Sequence, residues 1–232
     1  MRIFCCLLLL LSTFALAQPI PTDCRQVVLV VSQDWDATTG QLTVFNKTEQ
    51  GWQADGQPWQ ISLGRTGLAW GLGLHPQQPA GPSKREGDGK SPAGVFSLTH
   101  VFGYRDPHNV DGLPFLLVDD RECIDDPESD HYNQIVSARQ VARDWKSSEI
   151  MKIDIYRLGL VVAHNVEHRP GAGSCIFMHR WSKPRGTTAG CTAMPADRLS
   201  WLCRWLRHDA HPVLVQLPAD SYRTLREEWK LP

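Results

Sequence analysis

The chain has 232 residues, a formal net charge of −1, and 42% hydrophobic against 21% charged residues. Acidic and basic residues are interspersed, which excludes the one-signed footprint of a nucleic-acid or membrane-surface binder. Beyond the N-terminus no apolar run is long enough to span a bilayer, so no stable membrane insertion is expected, and the length suits one well-cored domain.

Arg2, the apolar run "IFCCLLLLLSTFAL" and the small-x-small site Ala15, Leu16, Ala17 open the chain. This three-part pattern predicts a signal peptide over residues 1–17 and export of a single domain over 18–232, to a periplasm or cell-wall space. Short runs of branched and aromatic residues, bounded by Gly, Pro, Asn and Asp, then predict strands. In order they are "VVLVV" (Val27 to Val31), "QLTVF" (Gln41 to Phe45), "WQISL" (Trp59 to Leu63) and "GVFSL" (Gly94 to Leu98). "FLLV" (Phe115 to Val118), "GLVVAH" (Gly159 to His164), "CIFMH" (Cys175 to His179) and "VLVQL" (Val213 to Leu217) follow. "SARQVARDWKSSEIM" reads as moderately helical. "PADRLSWLCRWLRH" is the clearest helix, with Pro195 at its first position, Asp197 in the first turn, and an apolar stripe of Leu199, Leu202, Cys203 and Leu206. "ADSYRTLREEW" closes the chain as a short helix. The fold class is mainly β (β-rich α+β) with a few peripheral helices. The Gly- and Pro-rich segment from Gly64 to Gly94 is long for a plain connection, as functional loops are.

Of seven cysteines, Cys5 and Cys6 leave with the signal. Cys24, Cys123, Cys175, Cys191 and Cys203 remain, an odd set in a compartment where cysteines pair, so at least one thiol is left over. Sequence alone does not say which.

Three motifs resemble sites without the context those sites need. "GDGKS" (Gly87 to Ser91) has Lys84 where a phosphate loop needs its first glycine, and leads into a strand. "HNVEH" (His164 to His168) matches an H-x-x-E-H zinc pattern, which would make an exported zinc hydrolase on His164, Glu167 and His168. That chemistry needs a helix; on extended chain the two imidazoles stand roughly 13 Å apart, and no metal is expected. "DDPESDH" (Asp125 to His131) lacks the glycine and terminal glutamate of a calcium loop and reads as a solvated turn.

"HRWSKPRGTTAGCTAMP" (His179 to Pro195) is different. His179 ends a strand, and the turn "PRGTTAG" is long enough to return Cys191 beside it. Gly190 allows close backbone approach to a substrate carbonyl, and a helix beginning soon after would favour a thiolate. A nucleophile with its base and half of a disulfide are both consistent with these residues.

The run "GSCIFMHRWSKPRGTTAGCTAM" resembles the signature of the L,D-transpeptidase catalytic (YkuD-like) family, in the branch with short His-to-Cys spacing. That signature is a strand-borne histidine followed by Ser/Thr-x-Gly-Cys, here Thr188, Ala189, Gly190 and Cys191. "GDGKSPAGVF" resembles a second stretch common in the family, and "LVVAHN" and "DHYN" are also similar; the likeness covers about Gln60 to Leu206. It implies a β-sandwich or barrel and a cofactor-free acyl transfer on peptidoglycan stem peptides. Cys191 would be the nucleophile and His179 its base, with Thr188 orienting His179 and backbone N–H groups near Gly190 holding the oxyanion. Tyr132, Asn133, His164 and Asn165 are candidates for the substrate groove. An amine acceptor would make a crosslink, and water would make the site an L,D-carboxypeptidase. An exported binding module that keeps the fold without turnover is a further alternative. Ala189 and Ala193 stand where many members carry His and Arg, so substrate preferences do not carry over. With Cys191 assigned, Cys24, Cys123, Cys175 and Cys203 allow up to two disulfides, in three connectivities.

Overall fold

The computed structural model describes residues 18–78, 80–107 and 109–232. The expected signal peptide lies outside them. The strands are β1 (Gln26–Ser32), β2 (Thr39–Thr48), β3 (Gly51–Ala54), β4 (Trp59–Ser62), β5 (Leu68–Trp70), β6 (Ser91–Gly103) and β7 (Phe115–Leu117). They continue as β8 (Arg121–Ile124), β9 (Ile135–Ser137), β10 (Ser148–Ile150), β11 (Leu158–Val162), β12 (Phe177–Arg180), β13 (Thr192–Met194) and β14 (Val213–Pro218). The helices are α1 (Ala196–Trp205) and α2 (Ala219–Leu225).

β1 is a continuous apolar run because both its edges are paired, to β14 in parallel and β2 antiparallel, and Val27, Val28 and Val30 are buried on its two faces. From there the sheet runs β1-β14-β6-β11-β12-β13-β4-β2 and closes where β2 meets β1. Closure leaves few open edges, and Leu42, Ile61, Val95, Phe96, Leu160, Met178 and Leu214 pack into one core. A separate sheet, β10-β8-β9, lies outside this ring. The fold is mainly β, as expected. In α1, Leu199, Leu202 and Cys203 are buried, and the helix contacts β11 and β12.

Two expectations are corrected. Residues 137–151 are not helical: β9 ends at Ser137, turns follow, and β10 begins at Ser148. Tertiary hydrogen bonds override the local pattern. Asp144 accepts from the Ser129 hydroxyl and the Asp130 N–H, while Asp126 accepts from the N–H groups of Glu128 and Lys146. The acidic loop thus spends these carboxylates on its own backbone. Pro195 is the N-cap of α1 rather than its first residue, with ψ at 142°.

Candidate active site

Pairing of β12 with β13 builds the site. The strands run parallel with His179 opposite Ala193. Side chains two apart on a strand share a face, so Cys191, just before β13, is delivered to the face His179 occupies. Both line one cavity of about 490 Å³, with Ala189, Ala193, Thr188, Glu149 and Tyr156. The two alanines that depart from the family signature are therefore wall positions of this cavity.

The turn before Cys191 is tied from two directions. The Cys191 carbonyl accepts from the Thr188 hydroxyl at 2.6 Å and from the Ser91 hydroxyl at 3.0 Å. Ser91 also accepts the Gly64 N–H at 2.9 Å, so the "GDGKS" stretch serves as a buttress under the Cys191 turn. At Gly190 a Cβ would lie 3.2 Å from the Lys90 carbonyl, so this glycine lets the turn sit close on that buttress. Behind Cys191, Thr192 donates to Gln216, which donates to the Pro92 carbonyl.

Cys191 and His179 are 6% and 5% exposed. The thiol donates to the Cys175 carbonyl at 3.6 Å and accepts the Phe177 N–H at 3.3 Å. His179 holds the Arg180 carbonyl through Nδ1 at 2.8 Å, and its ring packs edge-on against Tyr156 at 5.5 Å. With Nδ1 as donor, Nε2 carries the lone pair a base needs. Burial pushes the Cys191 thiol up, the charge of Glu149 adds to this, and burial pulls His179 below the ordinary histidine value. The resting pair is neutral thiol and neutral imidazole.

This corrects the expectation of a thiol with lowered pKa. β13 lies between Cys191 and the Pro195 N-cap of α1, four extended steps or about 13 Å, beyond the reach of the helix end. Two role expectations are also not met in this state. Thr188 bonds the Cys191 carbonyl rather than His179, and the Gly190 N–H is taken by the Thr188 hydroxyl at 3.2 Å.

Tyr132, Asn133, His164 and Asn165 do not line the Cys191 cavity. They form a hydrogen-bonded mesh elsewhere. Asn133 donates to the carbonyls of His164 and Asn165 and accepts the Cys175 N–H, Tyr132 accepts the Gly173 N–H, and Asn165 donates to the Arg169 and Gly173 carbonyls. His164 uses both ring nitrogens, accepting the Leu72 N–H at Nδ1 and meeting the Ala172 carbonyl at Nε2. Asn165 and His168 have positive φ, so "HNVEH" is a turn, and Glu167 pairs with Arg169. The zinc reading has no free imidazole at His164 to build on.

Cys123 and Cys175 form a disulfide, and Cys24, Cys191 and Cys203 are buried free thiols. One of the two possible bridges is thus made. Glu149 and Tyr156 were missed from sequence. Glu149 lies in the segment assigned to a helix, and Tyr156 sits in a short turn of 3₁₀ helix just before β11; neither belongs to a motif.

Residues 33–215 match the sequence model of the L,D-transpeptidase catalytic domain, YkuD. Among curated proteins none matches significantly. Two solved structures of the helical cell shape determining protein Pgp2 from Campylobacter jejuni are similar, one of them a K307A mutant. They share 14% and 15% identity over 84% of this chain, each at a TM-score of 0.41. The chain spans about half the length of those proteins, 48% and 47%.

Proposed function

The chain belongs to the L,D-transpeptidase catalytic-domain family, and on that premise we propose that it is an exported cysteine acyltransferase acting on peptidoglycan stem peptides. One observation carries the residue assignment: a free thiol, Cys191, shares a cavity with a histidine that keeps one ring nitrogen uncommitted. His179 Nε2 would take the thiol proton as sulfur attacks the carbonyl on the L-centre side of an L–D peptide bond. The same proton then goes to the departing amine of the terminal D-residue, leaving a thioester on Cys191. Because the resting pair is neutral, the proton moves during attack rather than before it. Backbone N–H groups of the Cys191 turn would hold the oxyanion, each good donor contributing on the order of 3 kcal/mol. Gly190 can contribute only if its bond to Thr188 opens.

An amine from a neighbouring stem would resolve the thioester into a crosslink; water would make a trimmed peptide. Residues 1–17 would direct export, and among the described residues no helix is long and apolar enough to cross a membrane. Incubation with purified tetrapeptide muropeptides tests the reading, with crosslinked dimers or trimmed tripeptides expected. A carbapenem should add one covalent adduct, seen by intact mass and absent in Cys191→Ala. No product and no adduct would overturn it.

A further inference from the structure

Glu149 stands in the wall of the Cys191 cavity and has no part in the acylation step just described. Its place is set by a chain of linkages. In the antiparallel pair β8–β10 it lies opposite Cys123, Cys123 is bonded to Cys175, and the Cys175 carbonyl accepts the Cys191 thiol. The disulfide therefore fastens the small sheet to the catalytic strand and brings a carboxylate to the nucleophile. Glu149 accepts the Tyr156 hydroxyl at 2.6 Å, and Tyr156 in turn packs on His179 and lines the same cavity as Cys191.

The rest of that wall is apolar or carries hydroxyls: Ile153, Ile155, Ala189 and Ala193, with Thr187 and Ser182. Glu149 is its only acidic group. No Lys, Arg or His pairs with it among the described residues. A partly buried carboxylate without a countercharge favours a cation that enters beside it. Burial raises its proton affinity, with the charges of Asp125 and Glu86 adding to this while the Tyr156 hydroxyl opposes it. Such a carboxylate is a better base than an exposed one.

We propose that Glu149 receives the positively charged amine of the acceptor beside the Cys191 thioester and so directs the site toward crosslinking rather than hydrolysis. The inference rests on the acyl-transfer reading above. The acceptor arrives as an ammonium and gives one proton to the Glu149 carboxylate. Its free amine forms a C–N bond at the thioester carbonyl, and His179 Nε2 takes the second proton. The C–S bond breaks, the sulfur recovers that proton from His179 as thiol, and Glu149 returns its own to solvent. Tyr156 is a positioning residue, holding the carboxylate through its hydroxyl.

The test uses the chain with its disulfide intact, tetrapeptide muropeptides as donor, and two nucleophiles in separate arms. One is the stem amine, cationic at neutral pH, and the other hydroxylamine, which is uncharged there. In Glu149→Gln the ratio of crosslinked to trimmed product should fall at least tenfold, the hydroxylamine adduct should fall far less, and Glu149→Asp should restore part of the ratio. Carbapenem adduct formation at Cys191 shows separately that the variant is folded and that the acyl-transfer reading stands. If the variant acylates but its product ratio is unchanged, or both nucleophiles suffer equally, Glu149 does not receive the amine. A wild-type protein that acylates yet makes only trimmed products would also overturn the proposal. Failure to acylate in the wild type sinks the underlying reading instead.

Discussion

His164 and His179 are almost equally removed from solvent, at 3% and 5% exposure, yet the regions around them use a buried imidazole in opposite ways. The His164 region spends both nitrogens on backbone groups and packs the ring against Phe96 and beside Gly173, so the histidine is a cross-brace between loops. The His179 region anchors one nitrogen and opens the ring onto a cavity. Burial alone does not mark a catalytic histidine. The histidine proposed as base differs in keeping one ring nitrogen uncommitted.

Substitution at the two histidines should break this symmetry most visibly. His179→Asn is expected to lower acylation by about 10²- to 10⁴-fold, the range of a lost general base, with little change in thermal midpoint. His164→Ala orphans the Leu72 N–H and the Ala172 carbonyl and should destabilise by about 1–3 kcal/mol for each buried group left unpaired. Its acylation rate per folded molecule should stay near wild type. A His164 variant that folds normally and fails to acylate would place the mesh in the chemistry after all.

Cys175 joins the two regions, since its N–H donates to Asn133 of the mesh and its carbonyl accepts the Cys191 thiol, and the disulfide ties it to Cys123. The bridge closes a loop with a sequence separation of 52, for which chain entropy gives about 4 kcal/mol. Urea unfolding with and without reductant should show a loss of that order. At a urea concentration where both forms are folded, reduction should also slow adduct formation. Equal rates would make the bridge a staple only.

Acid separates the regions by a different route. Burial lowers His75 and His164 to about 4. The unfolded chain binds these protons near the ordinary value of about 6.5. It therefore holds more protons than the fold between about pH 6.5 and 4, and stability falls as pH drops through that window, by on the order of 3 kcal/mol for each histidine. His179 is depressed by burial too, so the base function proposed for it should persist below the ordinary histidine range. Adduct formation should continue into acid where the mesh has begun to weaken. A rate that falls with a midpoint at or above 6.5 would contradict the buried, neutral base.

The strands of the ring were mostly legible because each buries a face or both, and that requirement writes branched and aromatic runs into β1, β2, β4, β6, β11, β12 and β14. That Cys191 and His179 share one cavity was legible because a short segment carries both. The small sheet was not. β8, β9 and β10 are three or four residues long, and what holds them is Asp126, Asp144 and a disulfide, all acting over distances in sequence that periodicity does not record. Glu149 was hidden for the same reason. β13 was hidden because its three residues, although buried, are too few to show alternation. Tyr132, Asn133, His164 and Asn165 carry side chains that suit a groove as well as a mesh, and only their partners decide between the two.

The smallest expected effect tests whether the His179 region is rigid because of its own turn or because of its buttress. Ser91 donates to the Cys191 carbonyl and accepts the Gly64 N–H, and all three groups are buried. Ser91→Ala leaves the Gly64 N–H without its acceptor, while the Cys191 carbonyl keeps Thr188. One orphaned donor costs about 1–2 kcal/mol, which should appear as a modest drop in thermal midpoint. If the buttress positions the thiol, adduct formation should slow several-fold while the His164 mesh, which shares no hydrogen bond with Ser91, keeps its hydrogen-exchange protection. Thr188→Ala removes the other donor from the same carbonyl and frees the Gly190 N–H, so the two variants load the turn differently. Should Ser91→Ala acylate at the wild-type rate and Thr188→Ala not, the turn holds the nucleophile by itself and the long Gly64 to Gly94 segment only supports the fold.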